Sequence, residues 1–289
     1  MRTEKIGKDI VFKFDGFSDL GDSALRSSNP AKSSATGTKK FTESDSVQQS
    51  HGLLVQGWDK PTEEIARITE RVREQVGEVV APIIQFYNGT VGTRLDVGLF
   101  TAGDPNCFYS FYEEEGRRNE RFVRILVDSA FSCGVPTEDI ITRGGAIIAL
   151  CDALNLCGYS TEVWSTIAVA ENSGRSNGNL YTLVPVQTAG QPWDTRSAIF
   201  PLSHPSYLRR LHFALVEGAG KPIEDRFGED RSYGRPLGIT KGDTADTLVG
   251  GADILLSGQV GNIKDITRDP AKWVLSQLEQ CGAYVPQQY

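Results

Sequence analysis

Three residues in this sequence could together perform acyl transfer: Ser132 as the nucleophile, His204 as its base and Asp128 as the group that orients the histidine. In such a triad the imidazole accepts the proton of the attacking hydroxyl. The Gly-x-Ser-x-Gly turn that presents the nucleophile in many hydrolases is missing, and so are the glycine-rich nucleotide-binding patterns. A hydrolase that uses His204 is therefore an alternative here and not the leading interpretation.

Arg209 and Arg210 form a second candidate group, flanked by Tyr207 and Phe213. Two guanidinium groups side by side could bind a phosphate or an acidic partner. In an amphipathic helix, however, such arginines commonly face solvent, and we expect that placement here. The acidic residues between 224 and 243 lack the spaced Asp-x-Asp-x-Asp-Gly loop of a calcium site, so we interpret them as solvated charge.

The composition argues against several classes of protein. A net charge of −7 and a pI of about 5.2 do not suit general nucleic-acid binding, which needs clustered Lys and Arg. The five cysteines are dispersed without a C-x-x-C pair, so we expect reduced thiols and no zinc site. The sequence shows no secretory leader and no apolar stretch of roughly 18–20 residues, which predicts a soluble intracellular protein without a membrane partner.

The stretch from 121 to 170 contains the elements that would position Asp128. Residues 122–127 are apolar and β-branched, as in a buried strand. A helix is predicted to begin near Thr137 and to end before Gly158, because Gly adopts the left-handed conformation at least cost. A second strand follows at 162–169. This strand–helix–strand unit predicts a parallel sheet with Asp128 at a carboxyl end, where open α/β sheets bind their ligands.

The domain organisation is predicted from changes in composition. Residues 51–289 are expected to form a single α/β domain with its core at 108–289. An arm or linker at 1–50 precedes it. Within that arm, residues 23–50 are rich in Ser, Thr, Lys and Gln and are expected to be loosely held. Residues 221–250 are polar and Gly-rich, and this length predicts a functional excursion or a mobile loop.

Further elements are predicted around this core. A strand at 108–112 is expected to pair antiparallel with 122–127 through a short loop. A strand at 180–186 is expected to lie at the sheet edge, because Pro185 cannot donate a ladder hydrogen bond. Residues 206–216 follow a helical pattern.

A set of short segments is spread over most of the chain. The segments are Gly57-Trp58, Leu95-Asp96-Val97-Gly98, Gly103-Asp104-Pro105-Asn106-Cys107, Arg143-Gly144-Gly145-Ala146, Ala149-Leu150-Cys151-Asp152-Ala153-Leu154, Gly158-Tyr159-Ser160-Thr161-Glu162-Val163-Trp164 and the His204-Pro205 to Leu208-Arg209-Arg210 segment. Together they resemble an uncharacterised family of proteins encoded mostly by bacteriophages. The resemblance implies a phage-encoded protein and transfers no activity.

The order of elements is similar to that of von Willebrand factor A-like domains, particularly the C-terminal domain of the cobaltochelatase T-type subunit. The strand there ends in Asp-x-Ser-x-Ser, and here it ends in Asp128-Ser129-Ala130-Phe131-Ser132. The resemblance implies a divalent cation such as Mg²⁺ held by Asp128, Ser132 and Thr195. Ala130 removes one oxygen from that set, so we expect a degenerate site without a cofactor, in which Asp128 accepts N–H groups of the turn at 132–134.

The resemblance also implies a fold and a leading function. The fold class is α/β, with a mainly parallel central sheet, an antiparallel edge hairpin and helices on both faces. The function is that of a non-enzymatic protein-binding, structural or assembly protein. Such a protein is expected in the host cytoplasm or in the virion, and its partners include a second copy of itself. A metal-dependent partner of an AAA+ ATPase is the other alternative. The candidate partner-binding residues are Asp128, Ser132, Asp194, Thr195, Arg209 and Arg210.

Overall fold

A computed structural model describes residues 1–58, 62–77, 84–92, 94–113, 121–171, 178–191, 194–228 and 232–283. Within these ranges no helix is both long and apolar enough to cross a membrane. The strands of the described ranges are β1 (Arg2–Ile6), β2 (Asp9–Lys13), β3 (Ile84–Gly89), β4 (Arg94–Leu95), β5 (Phe108–Glu113), β6 (Arg121–Asp128), β7 (Tyr159–Ala170), β8 (Asn179–Gln187), β9 (Arg235–Pro236) and β10 (Ile254–Leu256).

The helices of the same ranges surround these strands. They are α1 (Phe17–Ser27), α2 (Ser33–Thr36), α3 (Lys39–Thr42), α4 (Val47–Gln56), α5 (Thr62–Gly77), α6 (Val97–Thr101), α7 (Thr137–Leu156), α8 (Thr195–Ser203), a π-helix (Tyr207–His212), α9 (Phe213–Glu217), α10 (Lys221–Phe227), α11 (Thr244–Leu248), α12 (Val260–Arg268) and α13 (Pro270–Gln280).

The main sheet has the strand order β1-β2-β8-β7-β6-β10, and β9 pairs with the end of β7. The pairs β10–β6, β6–β7 and β2–β8 are parallel, whereas β1–β2, β7–β8 and β7–β9 are antiparallel. The predicted strand–helix–strand unit is confirmed as β6, α7 and β7. Helix α7 ends before Gly158, whose φ angle is 80°. The α/β fold class is therefore correct, and β6 lies between two parallel neighbours.

The edge of the sheet is not where the sequence places it. The strand predicted at 180–186 is β8, which lies inside the sheet between β2 and β7, and the edge hairpin is β1–β2 instead. Pro185 is tolerated there because it pairs with Trp164 at a β-bulge, where the ladder is already interrupted.

The strand predicted at 108–112 is present as β5, but its expected partner is wrong. β5 pairs antiparallel with β3 and β4 in a separate three-stranded sheet, not with β6. The expected hairpin loop at 113–118 begins at the last residue of β5, and its other residues lie outside the described ranges. Proximity in sequence therefore does not predict this pairing, because the two strands belong to different sheets.

Helix α7 is apolar around its whole circumference, as expected for a helix buried between other elements. It contacts β7 on one side and α5, α8, α12 and α13 on the others. Gly144 and Gly145 permit the closest of these contacts. A Cβ atom at Gly144 would lie 2.3 Å from the Ser203 side chain, and one at Gly145 would lie 3.2 Å from Ile65 and Ile68.

Residues 23–50 are not loosely held, in contrast to the expectation from composition. They form the end of α1, then α2, α3 and α4, and they contribute Ala24 and Val47 to the main core. Buried hydroxyl residues contribute as well, because their polar atoms are hydrogen-bonded in place. These are Ser23, Ser34, Thr42, Ser44 and Ser50.

The excursion at 221–250 is also more ordered than its composition suggests. It contains α10, β9 and α11, and residues from it cover the face of the sheet opposite α7. Ile239, Ala245 and Val249 pack there against Leu126 and Leu183. The segment 206–216 is helical as predicted, but its first part is a π-helix and only its second part is α-helical.

Candidate functional site

The carboxyl ends of β6, β7 and β10 meet at Asp128, whose side chain is fully buried. Its Oδ1 accepts the backbone N–H groups of Ala130 (3.0 Å) and Ala168 (3.1 Å), and its Oδ2 accepts that of Gly258 (3.2 Å). The carboxylate thus joins three strand ends, whereas the sequence predicted a local cap of the turn at 132–134. Burial raises the pKa of Asp128 to about 6, which means that lost hydration outweighs the three hydrogen bonds.

Arg143 of α7 lies against the ends of two of these strands, β6 and β10, and is also fully buried. Its Nη2 donates to the carbonyl oxygens of Asp128 (3.1 Å), Leu256 (2.9 Å) and Ser257 (3.2 Å). Burial lowers the pKa of Arg143 to about 10, opposed by the charge of Asp128, so the guanidinium stays positive near neutrality. We call Asp128, Arg143 and these contacts the strand-end junction.

The residues expected to share a cation with Asp128 are not brought together. Ser132 is half-buried on the carboxyl side of β6, but Asp194 and Thr195 begin α8. Because β8 runs antiparallel to β7, the segment after it starts at the opposite edge of the sheet. Asp194 instead caps α8 by accepting the N–H of Arg196 at 3.1 Å. Among the described residues, no group of three or more His, Cys, Asp or Glu side chains could hold a metal ion.

Arg209 and Arg210 are buried, with 3% and 1% of their surface exposed, and the expectation that they face solvent is wrong. All five N–H donors of Arg210 are used. They bind the Ser44 Oγ and the carbonyl oxygens of Ser34, Ala35, Gly37 and Ser44 at 2.7–3.1 Å. We call residues 33–44 the N-terminal segment; Arg210 fastens it to the π-helix.

Arg209 connects the same N-terminal segment to the loop after β6. Its Nη1 donates to the carbonyl oxygen of Phe41 at 2.7 Å, and the guanidinium lies 4.2 Å from the centre of the Phe41 ring. Its Nη2 donates to the carbonyl oxygens of Ser132 and Val135, both at 3.4 Å. Burial lowers the pKa of Arg209.

A cavity of about 690 Å³ opens between the N-terminal segment, the loop after β6 and the strand β9. This carboxyl-edge cavity is mostly apolar and includes two residues that the sequence singled out, Ser132 and Arg209. It lies at the carboxyl ends of parallel strands, the position at which open α/β sheets bind ligands. Its walls are Ser33, Gly37, Phe41, Ala130, Phe131, Ser132, Cys133, Val169, Leu208, Arg209, Phe213, Ser232, Tyr233, Gly234, Arg235 and Pro236.

One wall of the cavity has an unusual backbone conformation. Ser232 and Tyr233 have φ angles of 55° and 56°, and Gly234 follows with 80°. A bulky residue with positive φ is costly, by roughly 1–3 kcal/mol, and needs support from its surroundings. The Tyr233 ring stacks on Phe213 with centroids 3.7 Å apart, and its hydroxyl donates to the buried carboxylate of Glu217. The aromatic wall is therefore held in one position.

Glu217 links this wall back to the N-terminal segment. Besides the hydroxyl of Tyr233, it accepts the backbone N–H of Ser34 at 3.0 Å and the hydroxyl of the same serine. Cavity walls that are more than 180 positions apart in sequence are thus joined through one carboxylate.

A family model described as "Domain of unknown function (DUF7192)" matches residues 2–257, which is most of the chain. The chain belongs to the DUF7192 family. No curated protein and no solved structure matches it. The matched range begins in β1 and ends just after β10, so it includes Asp128, Arg143 and every described wall residue of the carboxyl-edge cavity of this DUF7192 protein, and it stops one residue before Gly258.

His204 and His212 of this DUF7192 chain have structural roles. His204 accepts the N–H of Ser206 at 3.1 Å and lies between the rings of Trp58 and Phe200. His212 is fully buried against the Thr182 hydroxyl at 3.0 Å, and burial lowers its pKa to about 3. The oxygens of Asp128 bind backbone N–H groups, so Asp128 does not orient a histidine as the triad requires.

Several residues of the site carry no signal that sequence reasoning used. Arg143 enters the sequence argument only as the first residue of a matching segment. An arginine inside an apolar helix pattern is, however, itself an indication of a buried charge. Phe41, Tyr233 and Arg235 lie in segments that were predicted to be a loose arm or an excursion. No local pattern distinguishes them from surface residues.

Proposed function

We propose that this protein is a non-enzymatic binding protein that accepts a large apolar side chain of a protein partner in the carboxyl-edge cavity. The observation that carries the proposal is the cavity itself: about 690 Å³, lined by Phe41, Phe131, Phe213 and Tyr233. This volume lies within the roughly 300–1,000 Å³ of typical binding pockets. Pockets that receive one aromatic or aliphatic anchor commonly supply most of the energy of a protein interface.

The surroundings of the cavity support binding more than catalysis. Asp128 accepts hydrogen bonds from backbone N–H groups, and Arg210 donates to backbone carbonyl oxygens. The hydroxyl of Tyr233 donates to Glu217. Such groups make walls that keep their shape when a partner arrives. A wall that is already in place loses little conformational entropy on binding, which favours affinity.

The finer parts of the proposal follow the resemblances. The chain ends its central strand with Asp128 and follows it with a crossover helix, as von Willebrand factor A-like domains do, and many of those domains bind proteins. We propose that the partner is a phage structural protein, with a second copy of this chain or an AAA+ ATPase as alternatives. The protein would then act in the host cytoplasm or be carried in the virion. Ala130 and the three N–H groups already bound to the Asp128 oxygens favour binding without Mg²⁺.

The proposal is tested with a library of displayed random peptides selected against the immobilised full chain. We expect the selected peptides to share one large apolar residue and to lose binding to Cys133→Trp, because Cys133 is exposed in the cavity wall and an indole there occupies its mouth. Leu156→Trp is the matched control, since it places the same indole side chain at an exposed position at the end of α7.

Circular dichroism and the unfolding midpoint show whether both variants are folded. Selected peptides that bind wild type and Cys133→Trp equally would refute the cavity as the binding site. Failure to select any peptide with a shared apolar residue would refute the proposed function.

A further inference from the structure

We infer that the apolar side chain taken by the carboxyl-edge cavity is flanked by carboxylates in the partner, so that the recognised segment is an acidic peptide with an aromatic anchor. This inference rests on the proposed function and specifies its ligand. It follows from the charges of the described residues of the cavity wall, which are of one sign.

Among the described residues of the cavity wall, the charged ones are two arginines, Arg209 and Arg235, and no Asp or Glu is present. The whole chain carries a net charge of −7, so the positive charge of this described part of the wall contrasts with the rest of the molecule. Positive groups beside an apolar pocket favour an anionic group next to the anchor, because complementary charge across an interface selects the partner.

Arg235 is the group that can reach such a carboxylate. It is exposed on β9, and its side chain makes no hydrogen bond or ion pair with any residue in the described ranges. Its neighbour in the ladder is Ala170, at the end of β7. The next residue along that strand, Glu171, is already paired with Arg226 at 3.3 Å. The guanidinium of Arg235 therefore remains available at the rim.

Arg209 contributes a fixed positive charge at the opposite wall. Its hydrogen bonds go to carbonyl oxygens of Phe41, Ser132 and Val135, which are dipoles and leave the unit charge uncompensated. Because its side chain is almost fully buried, solvent screens this charge less than it screens that of Arg235. The field inside the cavity therefore also favours an anion.

The neighbouring surface limits where the carboxylate can lie. A second hollow of about 490 Å³ adjoins the cavity through Phe41, Cys133 and Arg209, and it is lined by Glu43 and Glu138 as well as Lys40. Acidic side chains there would repel a carboxylate. We therefore place the partner's acidic residue on the Arg235 side of its anchor.

Three synthetic octapeptides test the inference, each with a central tryptophan that is flanked by glutamates, glutamines or lysines. Dissociation constants are measured by fluorescence anisotropy at low salt. We expect the glutamate peptide to bind about fivefold tighter than the glutamine peptide, as one well-placed ion pair allows, and the lysine peptide to bind weakest. Added salt should reduce the difference.

Arg235→Glu should reverse the order of the glutamate and lysine peptides. Arg268→Glu is the matched control, because Arg268 is an exposed arginine at the end of α12 and is not part of the cavity wall. Equal affinities of the three peptides, all abolished by Cys133→Trp, would overturn the inference and leave the proposed function intact. Peptides that bind Cys133→Trp as well as wild type, or that do not bind wild type at all, would overturn both.

Discussion

Two buried arginines hold different parts of this molecule in different ways. At the strand-end junction, Arg143 interacts with the charge of Asp128; the carboxylate joins the ends of three strands, and the guanidinium binds the ends of two of them. At the N-terminal segment, Arg210 meets four carbonyl oxygens and one hydroxyl, and its hydrogen bonds involve no carboxylate. The first arrangement brings a positive and a negative charge together at the ends of the strands. In the second, the charge of Arg210 has no carboxylate partner, and the arginine fastens the N-terminal segment to the π-helix.

The difference indicates how each region should respond to damage. Removing one member of a buried charge pair leaves the other without compensation, and the sheet cannot open locally to hydrate it. The N-terminal segment can separate from the π-helix and let water reach Arg210. We therefore expect global loss of stability at the junction and local opening at the segment.

The largest effect should come from Asp128→Ala. The substitution leaves three buried N–H groups without an acceptor and the charge of Arg143 uncompensated. We expect the free energy of unfolding to fall by about 3–5 kcal/mol in urea titrations. Asp194→Ala, which removes only the exposed cap of α8, should cost about 1 kcal/mol. Similar losses for the two variants would remove the distinction between a buried junction and an ordinary cap.

The pH dependence of stability tests the same junction. The folded-state pKa of Asp128, about 6, lies above its usual value near 3.9, so its contribution to stability is complete below pH ~3.9 and is lost as the pH rises through 6. Relative to wild type, Asp128→Asn should therefore gain about 3 kcal/mol of stability between pH 3 and pH 7.

His212 supplies a control of opposite sign for that experiment. Its folded-state pKa of about 3 lies below the usual 6.5, so its contribution is present above pH ~6.5 and is lost as the pH falls. His212→Gln should gain stability relative to wild type as the pH falls from 7 to 4, by about 3 kcal/mol. Parallel curves for wild type and either variant would contradict the assigned direction for that residue.

Arg210→Met should produce the local response. It removes five hydrogen bonds to the N-terminal segment, and we expect a loss of about 2–3 kcal/mol that appears first as opening of residues 33–44. Hydrogen exchange should speed up in this segment and stay slow in β6 and β7. Arg235→Met, at an exposed arginine, should leave hydrogen exchange unchanged in the N-terminal segment and in β6 and β7. Equal acceleration in the segment and in β6 would mean that the two regions unfold together.

The smallest effect should come from Ser44→Ala. This change removes the hydroxyl that accepts from Arg210 Nε at 2.9 Å and bonds the Ser50 hydroxyl at 2.8 Å, at a cost of about 1 kcal/mol. Ser18→Ala, at an exposed position in α1, should cost nothing measurable by the same urea titration. A cost at Ser44 no larger than at Ser18 would show that the backbone carbonyls alone hold Arg210.

The sequence by itself determined the strand–helix–strand unit, its carboxyl-edge position for Asp128 and the end of α7 at Gly158. These features depend on local periodicity and on the conformations that each residue type adopts, and both can be read within about fifty positions. The sequence also places Ser132 just after that strand, whereas only the fold brings Arg209 beside it in the cavity wall.

Only the tertiary structure decided that Arg209 and Arg210 are buried, that β1–β2 forms the edge and that Thr195 lies away from Asp128. The carbonyl groups that bind Arg210 are 166–176 positions away in sequence, and nothing next to an arginine indicates such partners. A charged or hydroxyl-rich segment is solvated unless distant groups satisfy it, so its burial depends on contacts that only the folded chain creates.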